Sequence, residues 1–328
     1  MAENLSIALR VEQMEQRQRR EWPLVRSNYD AVDNALMRDV WLGESLVVLQ
    51  FNPQRRASAS ASLDAASLAA RPCFLCRDHQ PVEQEALEWG GGEYKIQVNP
   101  YPIFSRHLTI SLTAHSPQSM ANPQRVVDML SLARDLPDYV LFYNGPLCGA
   151  SAPHHFHFQA ALKGVMPLCG EVMNPAVWPE ESQLEGTDDG FIGFSKHSGR
   201  FLFMIKSVQP VQAALYFARL QVAMMQATGV AAEPMQNILC WAQGDELYLV
   251  VFPRRKHRPA CYGTGPGQLL VSPGSTEMGG LWALAERKDF DTITADVLQR
   301  LYDEICVDNH MAVRMIECFQ QEKFQKES

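Results

Sequence analysis

An α+β fold, with antiparallel sheets flanked by helices and two pseudo-repeated halves, follows from three features of this sequence. Short β-branched and aromatic runs are interspersed with longer amphipathic runs at helical spacing. The order strand, helix, strand, strand occurs twice, before residue 165 and again after residue 189. Gly244-Asp245, set between two apolar runs, is a hairpin signal. The 328 residues suffice for one large domain or two modest ones with substantial cores. The division expected is a helical arm over 1–39, a first half over 40–165, a connection over 166–189, a second half over 190–288 and C-terminal helices over 289–328.

In chain order, residues 4–20 are rich in helix formers, with a polar face too broad for a core helix, and are expected to form a surface arm or a homodimer contact. A short helical stretch runs from Pro23 to Met37, and Leu46–Phe51 reads as a strand ending at Asn52-Pro53. Gln54-Arg55-Arg56 opens a polar loop, whose arginines are either solubilising charge or a bidentate grip on phosphate. Residues 57–71 are Ala- and Ser-rich and lead to the C-x-x-C of Cys73 and Cys76. Read alone, that pair is a redox couple, half of a zinc site, or coincidence.

Glu93–Val98 and His107–Leu112 read as strands, joined by Asn99-Pro100-Tyr101-Pro102, which the prolines make extended and rigid. His107 alone reads as a satisfied core histidine, and His115 falls just past its strand. Residues 121–135 form an amphipathic helix and Tyr139–Tyr143 a strand. Asn144 to Ser151 is a glycine-containing loop whose amides could approach an anion. Gly164–Asp189 is a Pro-, Glu- and Gly-rich connection that includes Trp178-Pro179-Glu180-Glu181. Beyond it come a strand over Arg200–Ile205, a helix over Val211–Met225, and the hairpin of Asn237–Trp241 with Leu247–Phe252. The basic run Arg254-Arg255-Lys256-His257-Arg258 is either a solvated strand end or a phosphate contact, and residues 289–326 read as helical.

A hydrophobic fraction of 46% with 20% charged residues describes a folded chain, and a net charge of −8 argues against nucleic acid or an anionic membrane as partner. No leader-like segment or membrane-length apolar run is evident, so a cytoplasmic protein is expected. Eight scattered cysteines, with only Cys73 and Cys76 close together, favour metal binding by reduced thiols over a disulfide framework.

Three of the nine histidines fall at His154, His155 and His157. With His155–Ala161 as a strand, alternation puts His155, His157 and Gln159 on one face, and Phe156 and Phe158 on the other. Imidazole, imidazole and carboxamide backed by buried aromatics suit covalent catalysis, which needs a nucleophile, a neighbour that orients it and a donor for developing charge.

The assembled pattern resembles the histidine triad superfamily, in its galactose-1-phosphate uridylyltransferase, diadenosine polyphosphate phosphorylase and GDP-L-galactose phosphorylase branch. The resemblance rests on Gly149-Ala150-Ser151-Ala152-Pro153 ahead of His155-Phe156-His157-Phe158-Gln159, with His154 as an extra residue between them. It covers residues 40–165 well; the later half matches only in its order of elements. It implies a structural zinc held by Cys73, Cys76, His115 and His155. It also implies that His157 is a nucleophile toward the α-phosphorus of a nucleotide, with Gln159 and Ser151 as donors, and that Arg55, Arg56, Asn99, Asn144 and Gly149 bind substrate. The nucleotidyl group, from a nucleotide sugar or a dinucleoside polyphosphate, then passes to phosphate or a sugar phosphate. Alternatives are a nucleotide hydrolase, or a zinc-stabilised nucleotide-binding protein whose extra His154 spoils the nucleophile's alignment.

Overall fold

The computed structural model describes residues 5–60, 72–178 and 182–326; the readings placed on residues 1–4, 61–71 and 179–181 lie outside these. Apolar alternation and β-branched content pair ten strands into one sheet. These are β3 (Leu87–Trp89), β4 (Tyr94–Val98), β5 (His107–Leu112), β6 (Tyr139–Asn144), β7 (His157–Leu162), β8 (Gln183–Thr187), β9 (Gly190–His197), β10 (Arg200–Ser207), β11 (Gln236–Gln243) and β12 (Glu246–Pro253). Their order is β3-β4-β5-β7-β6-β11-β12-β10-β9-β8, and every pairing is antiparallel. Read inward from either end, the strands correspond one for one, and β6 and β11 meet at the centre through Asn237↔Asn144 to Cys240↔Leu141. The helices between the corresponding strands, Gln124–Asp135 and Pro210–Thr228, contribute to one apolar cluster on the same side of the sheet. The repeated order in the sequence is thus a pseudo-twofold repeat within a continuous sheet.

A second, three-stranded sheet covers the other side, ordered β1 (Leu36–Leu42), β2 (Ser45–Phe51) and β13 (Leu281–Leu284), with β13 parallel to β2. Between the sheets, Val140, Phe142, Leu202, Trp241 and Val250 pack with Leu49, Trp282 and the helix Ala295–Ile305. The hairpin closes at Gln243↔Glu246, with Gly244 at a φ of 59°, a conformation glycine takes without a side-chain clash.

Several expectations are corrected. The helix Ile7–Glu21 is docked on the large sheet rather than projecting as an arm, with Val11 and Met14 wholly buried. Its polar breadth is matched by partners that periodicity cannot reveal: Glu15 accepts from Arg106 at 2.6 Å and Tyr139 at 2.9 Å, and Gln18 donates to the Glu83 carbonyl at 2.8 Å. The helix after Pro23 ends at Asp33, and the chain re-enters as β1, whose Leu36, Met37 and Trp41 are exposed, so no alternation marks it. The stretch read as a connection itself contains a strand, β8, and a further strand, β9, follows it. No helix of the described residues is long and apolar enough to cross a membrane.

Candidate active site and metal centre

The C-x-x-C turn, the loop after β5 and the turn before β7 converge so that Cys73, Cys76, His115 and His155 bring one ligand atom each to within 4.8 Å of one another. His155 Nδ1 lies 3.3 Å from Cys73 Sγ and 3.5 Å from Cys76 Sγ, and His115 Nδ1 lies 3.1 Å from Cys76 Sγ. A tetrahedral ion bound at ordinary metal–sulfur and metal–nitrogen lengths sets its S···N pairs about 3.5 Å apart, so the donors fit one ion. His155 Nε2 faces the Leu112 carbonyl at 2.9 Å. Its proton is therefore donated there, and the Nδ1 lone pair points at the thiols, as an ion requires. These four residues can hold a metal.

The histidine strand begins two residues later than its composition suggests. His155 lies in a turn closed by its own N–H on the Ala152 carbonyl at 3.1 Å, and β7 starts at His157. The extra His154 sits inside this turn, with its ring stacked on His115 at 5.7 Å. Within β7 the alternation holds: Phe158 joins Phe156 in the helix-side core, while His157 and Gln159 turn to the opposite face.

His157 is 4% exposed, and its Nδ1–H donates to the His155 carbonyl at 2.9 Å. Burial pulls its pKa down to about 4, against that hydrogen bond, so the ring is neutral near pH 7. With the proton on Nδ1, the lone pair is on Nε2, which has no hydrogen bond among the described residues. Sequence reasoning missed the residue that fixes the His157 backbone, Gln118, whose Oε1 accepts from the His157 N–H at 2.8 Å.

Gln159 is oriented by His107. Burial draws the His107 pKa down to about 3, against its bond to Gln159 and with the charge of Arg55 adding to the shift. His107 Nδ1 accepts from the Ile103 N–H at 3.1 Å, so its proton is on Nε2 and is donated to Gln159 Oε1 at 2.9 Å. The Gln159 carbonyl end is thereby engaged, and its NH2 is left to donate elsewhere. The satisfied core histidine read from sequence is present, and it orients the candidate residue Gln159.

The other candidates separate. Arg55 closes the turn Pro53–Arg55, where its charge acts on His107 and on Glu277 of the helix Ser275–Met278 from the second half. Arg56 is exposed and paired with Glu286, away from Arg55. Asn99 Oδ1 accepts from the Tyr101 N–H at 2.9 Å, shaping the loop ahead of β5. That loop is held by the Asn28 amide on the Pro100 carbonyl at 2.6 Å and the Gln50 amide on the Ile103 carbonyl at 2.9 Å. Asn144 Oδ1 accepts from the Ser275 N–H, the Ser275 hydroxyl and the Asn237 amide at 2.7, 2.8 and 2.9 Å, tying the first half to the second. Gly149 has a φ of 92°, and a Cβ there would come within 3.1 Å of Gly274 Cα. Ser151 is exposed on the same loop.

The solvated-end reading of the basic run holds only in part, since Arg255 and Lys256 are exposed while Arg254 is buried. Arg254 is buried and donates to the Ile305, Pro273 and Lys256 carbonyls, and Arg255 donates to the Glu304 and Asp303 carbonyls. With Lys256 on Glu304, they supply positive charge to the end of the helix Ala295–Ile305, where orphan carbonyls collect.

This architecture is that of known structures. Yeast Ap4A phosphorylase in complex with AMP is similar over 90% of this chain and 96% of its own, at a TM-score of 0.60 and 16% identity. The same yeast enzyme in complex with Ap4A is similar over 86% and 96%, at a TM-score of 0.56 and 16% identity. The chain has the HIT-like fold of the Ap4A phosphorylases. Residues 14–162, which include the Cys73, Cys76, His115 and His155 cluster and the strand that begins at His157, match a family described as a domain of unknown function, DUF4922. No curated protein matches the chain in sequence.

Proposed function

We propose that this protein is a nucleotidyltransferase of the phosphorylase kind, acting on a dinucleoside polyphosphate or a nucleotide sugar through a nucleotidyl-His157 intermediate. One observation carries the reading: His157 is a neutral imidazole with its proton on Nδ1 and an unbonded lone pair on Nε2. Nε2 forms a bond to the α-phosphorus, and the bond to the leaving phosphate breaks, its electron pair departing with that group. The Gln159 NH2 donates to a nonbridging oxygen as charge develops, with Ser151 and the loop amides beside it. Arg55 holds the outer phosphates. An oxygen of the acceptor phosphate or sugar phosphate then attacks the same phosphorus, the P–N bond breaks, and its electron pair returns to Nε2.

Zinc suits the Cys73, Cys76, His115 and His155 donors, because two thiolates and two imidazoles complete a tetrahedral shell with no position left for substrate. When bound, it supplies a structural clamp on the turn that carries the His155 carbonyl. His157 is free to react because it is not one of those four donors and its lone pair is on Nε2. Transfer is favoured over hydrolysis because Gln159 has no titratable proton with which to activate water. The turn around His154 takes up the extra residue while His157 keeps its hydrogen bond to His155, which speaks against a non-catalytic binding protein.

The test is intact-protein mass spectrometry after brief mixing with Ap4A, nucleoside triphosphates or nucleotide sugars, without acceptor. A gain of one nucleoside monophosphate, lost in His157→Gly, is expected. Phosphate should discharge it to a nucleoside diphosphate, and a sugar 1-phosphate should discharge it to a nucleotide sugar. Nucleotide binding with neither adduct nor turnover would refute the proposal.

A further inference from the structure

The geometry points to Gln118 as the positioning residue for His157, a role that rests on the nucleotidyl-His157 reading. Strands β6 and β7 pair from Tyr139↔Leu162 to Phe142↔Gln159, and the same register continued would set Asn144 opposite His157. On the other edge of β7, the Leu112 N–H donates to the Phe156 carbonyl at 3.1 Å. Phe156 therefore turns its peptide groups toward β5, and His157 turns its own toward β6. They do not reach it. The Gln118 carboxamide lies between the strands: Oε1 accepts from the His157 N–H at 2.8 Å, and Nε2 donates to the carbonyls of His157 and Asn144, both at 3.0 Å. One side chain replaces the hydrogen bonding of a strand residue and wedges β6 from β7 where the nucleophile sits.

The wedge is itself fixed. Gln118 is 2% exposed, and its N–H donates to the Pro153 carbonyl at 3.1 Å. Two residues on, the Met120 N–H donates to the Glu233 carboxylate at 2.6 Å, which anchors the loop to the second half. Upstream, the same loop carries His115 of the candidate metal cluster. The peptide that bears the nucleophile is thus held by a carboxamide on one side and, through Nδ1, by the His155 carbonyl on the other. Near-attack geometry depends on the imidazole having this single setting.

Gln118→Ala strands the His157 N–H and two carbonyls, and frees the nucleophile to shift. The maximal rate of adduct formation should fall about a hundredfold, the loss expected of a misplacement on the order of 1 Å. The nucleotide concentration for half-saturation and the metal content should stay at wild-type values. Gln118→Glu keeps the shape and the acceptor but loses both donations, and is expected to lose about tenfold; it is the comparison of choice should the alanine variant fold poorly. A second readout needs no chemistry: the His157 Nδ1–H resonance in ¹⁵N-histidine-labelled protein, sharp in the wild type, should broaden in both variants. Wild-type rates in both variants, or metal lost in parallel with activity, would overturn the assignment. If the wild type forms no adduct, the nucleotidyl reading fails by itself. The resonance then decides the wedge: broadening upholds it and persistence overturns it.

Discussion

Acid should leave the first half-reaction almost untouched over a range in which an ordinary histidine nucleophile would be silenced. Burial lowers the His157 pKa to about 4, against a usual value of 6.5. A lowered pKa extends the reactive neutral form toward acid, so the acid limb moves down in pH. At about pH 5, a ring titrating at its usual value is roughly 3% neutral, whereas one titrating near 4 is roughly 90% neutral. Between about pH 7.5 and 5 the maximal rate of adduct formation should therefore drop by about a tenth, instead of about thirtyfold. Quenched mixing with saturating nucleotide, read by intact mass, measures that rate, and metal content is measured at each pH so that ligand protonation is separated from nucleophile protonation. A limb centred near 6.5 with the metal still bound would mean that burial does not keep the ring neutral.

Other perturbations test the remaining parts. Metal analysis of protein purified without added metal should find about one zinc per chain, and Cys73→Ser should lose the metal and thermal stability together; an equally stable metal-free protein would speak against the site. His107→Leu removes the donor that engages Gln159 Oε1 and leaves the carboxamide free to flip. Adduct formation should slow about tenfold at unchanged nucleotide affinity, since one neutral hydrogen bond is worth on the order of 1 kcal/mol. Gly149→Ala should destabilise by about 1–3 kcal/mol in denaturant titration, because φ is positive and the added Cβ meets the Gly274 backbone. Unchanged stability would mean that the Gly149 to Gly274 approach relaxes freely.

The sequence by itself determined those features in which one short stretch carries its own chemistry. Alternation along β7 separates His157 and Gln159 from Phe158 whatever the rest of the chain does, because successive side chains of a strand must point to opposite faces. The Gly244-Asp245 turn and the recurring element order are equally local, and they appear as the hairpin and the pseudo-twofold sheet. The Cys and His types compatible with a metal were legible too, although only the fold brings Cys73 and Cys76 to His115 and His155. Tertiary structure alone decided the fate of the polar side chains, because a buried carboxamide or guanidinium is committed by whichever distant backbone groups would otherwise go unpaired. Gln118 is an unremarked loop residue until it meets the free edges of His157 and Asn144. Arg254 and Arg255 look like a phosphate grip until the last carbonyls of the helix Ala295–Ile305 claim them. The polar face of Ile7–Glu21 looked solvated because Arg106, Tyr139 and Glu83, which satisfy it, lie far along the chain and leave no periodic trace in the helix itself.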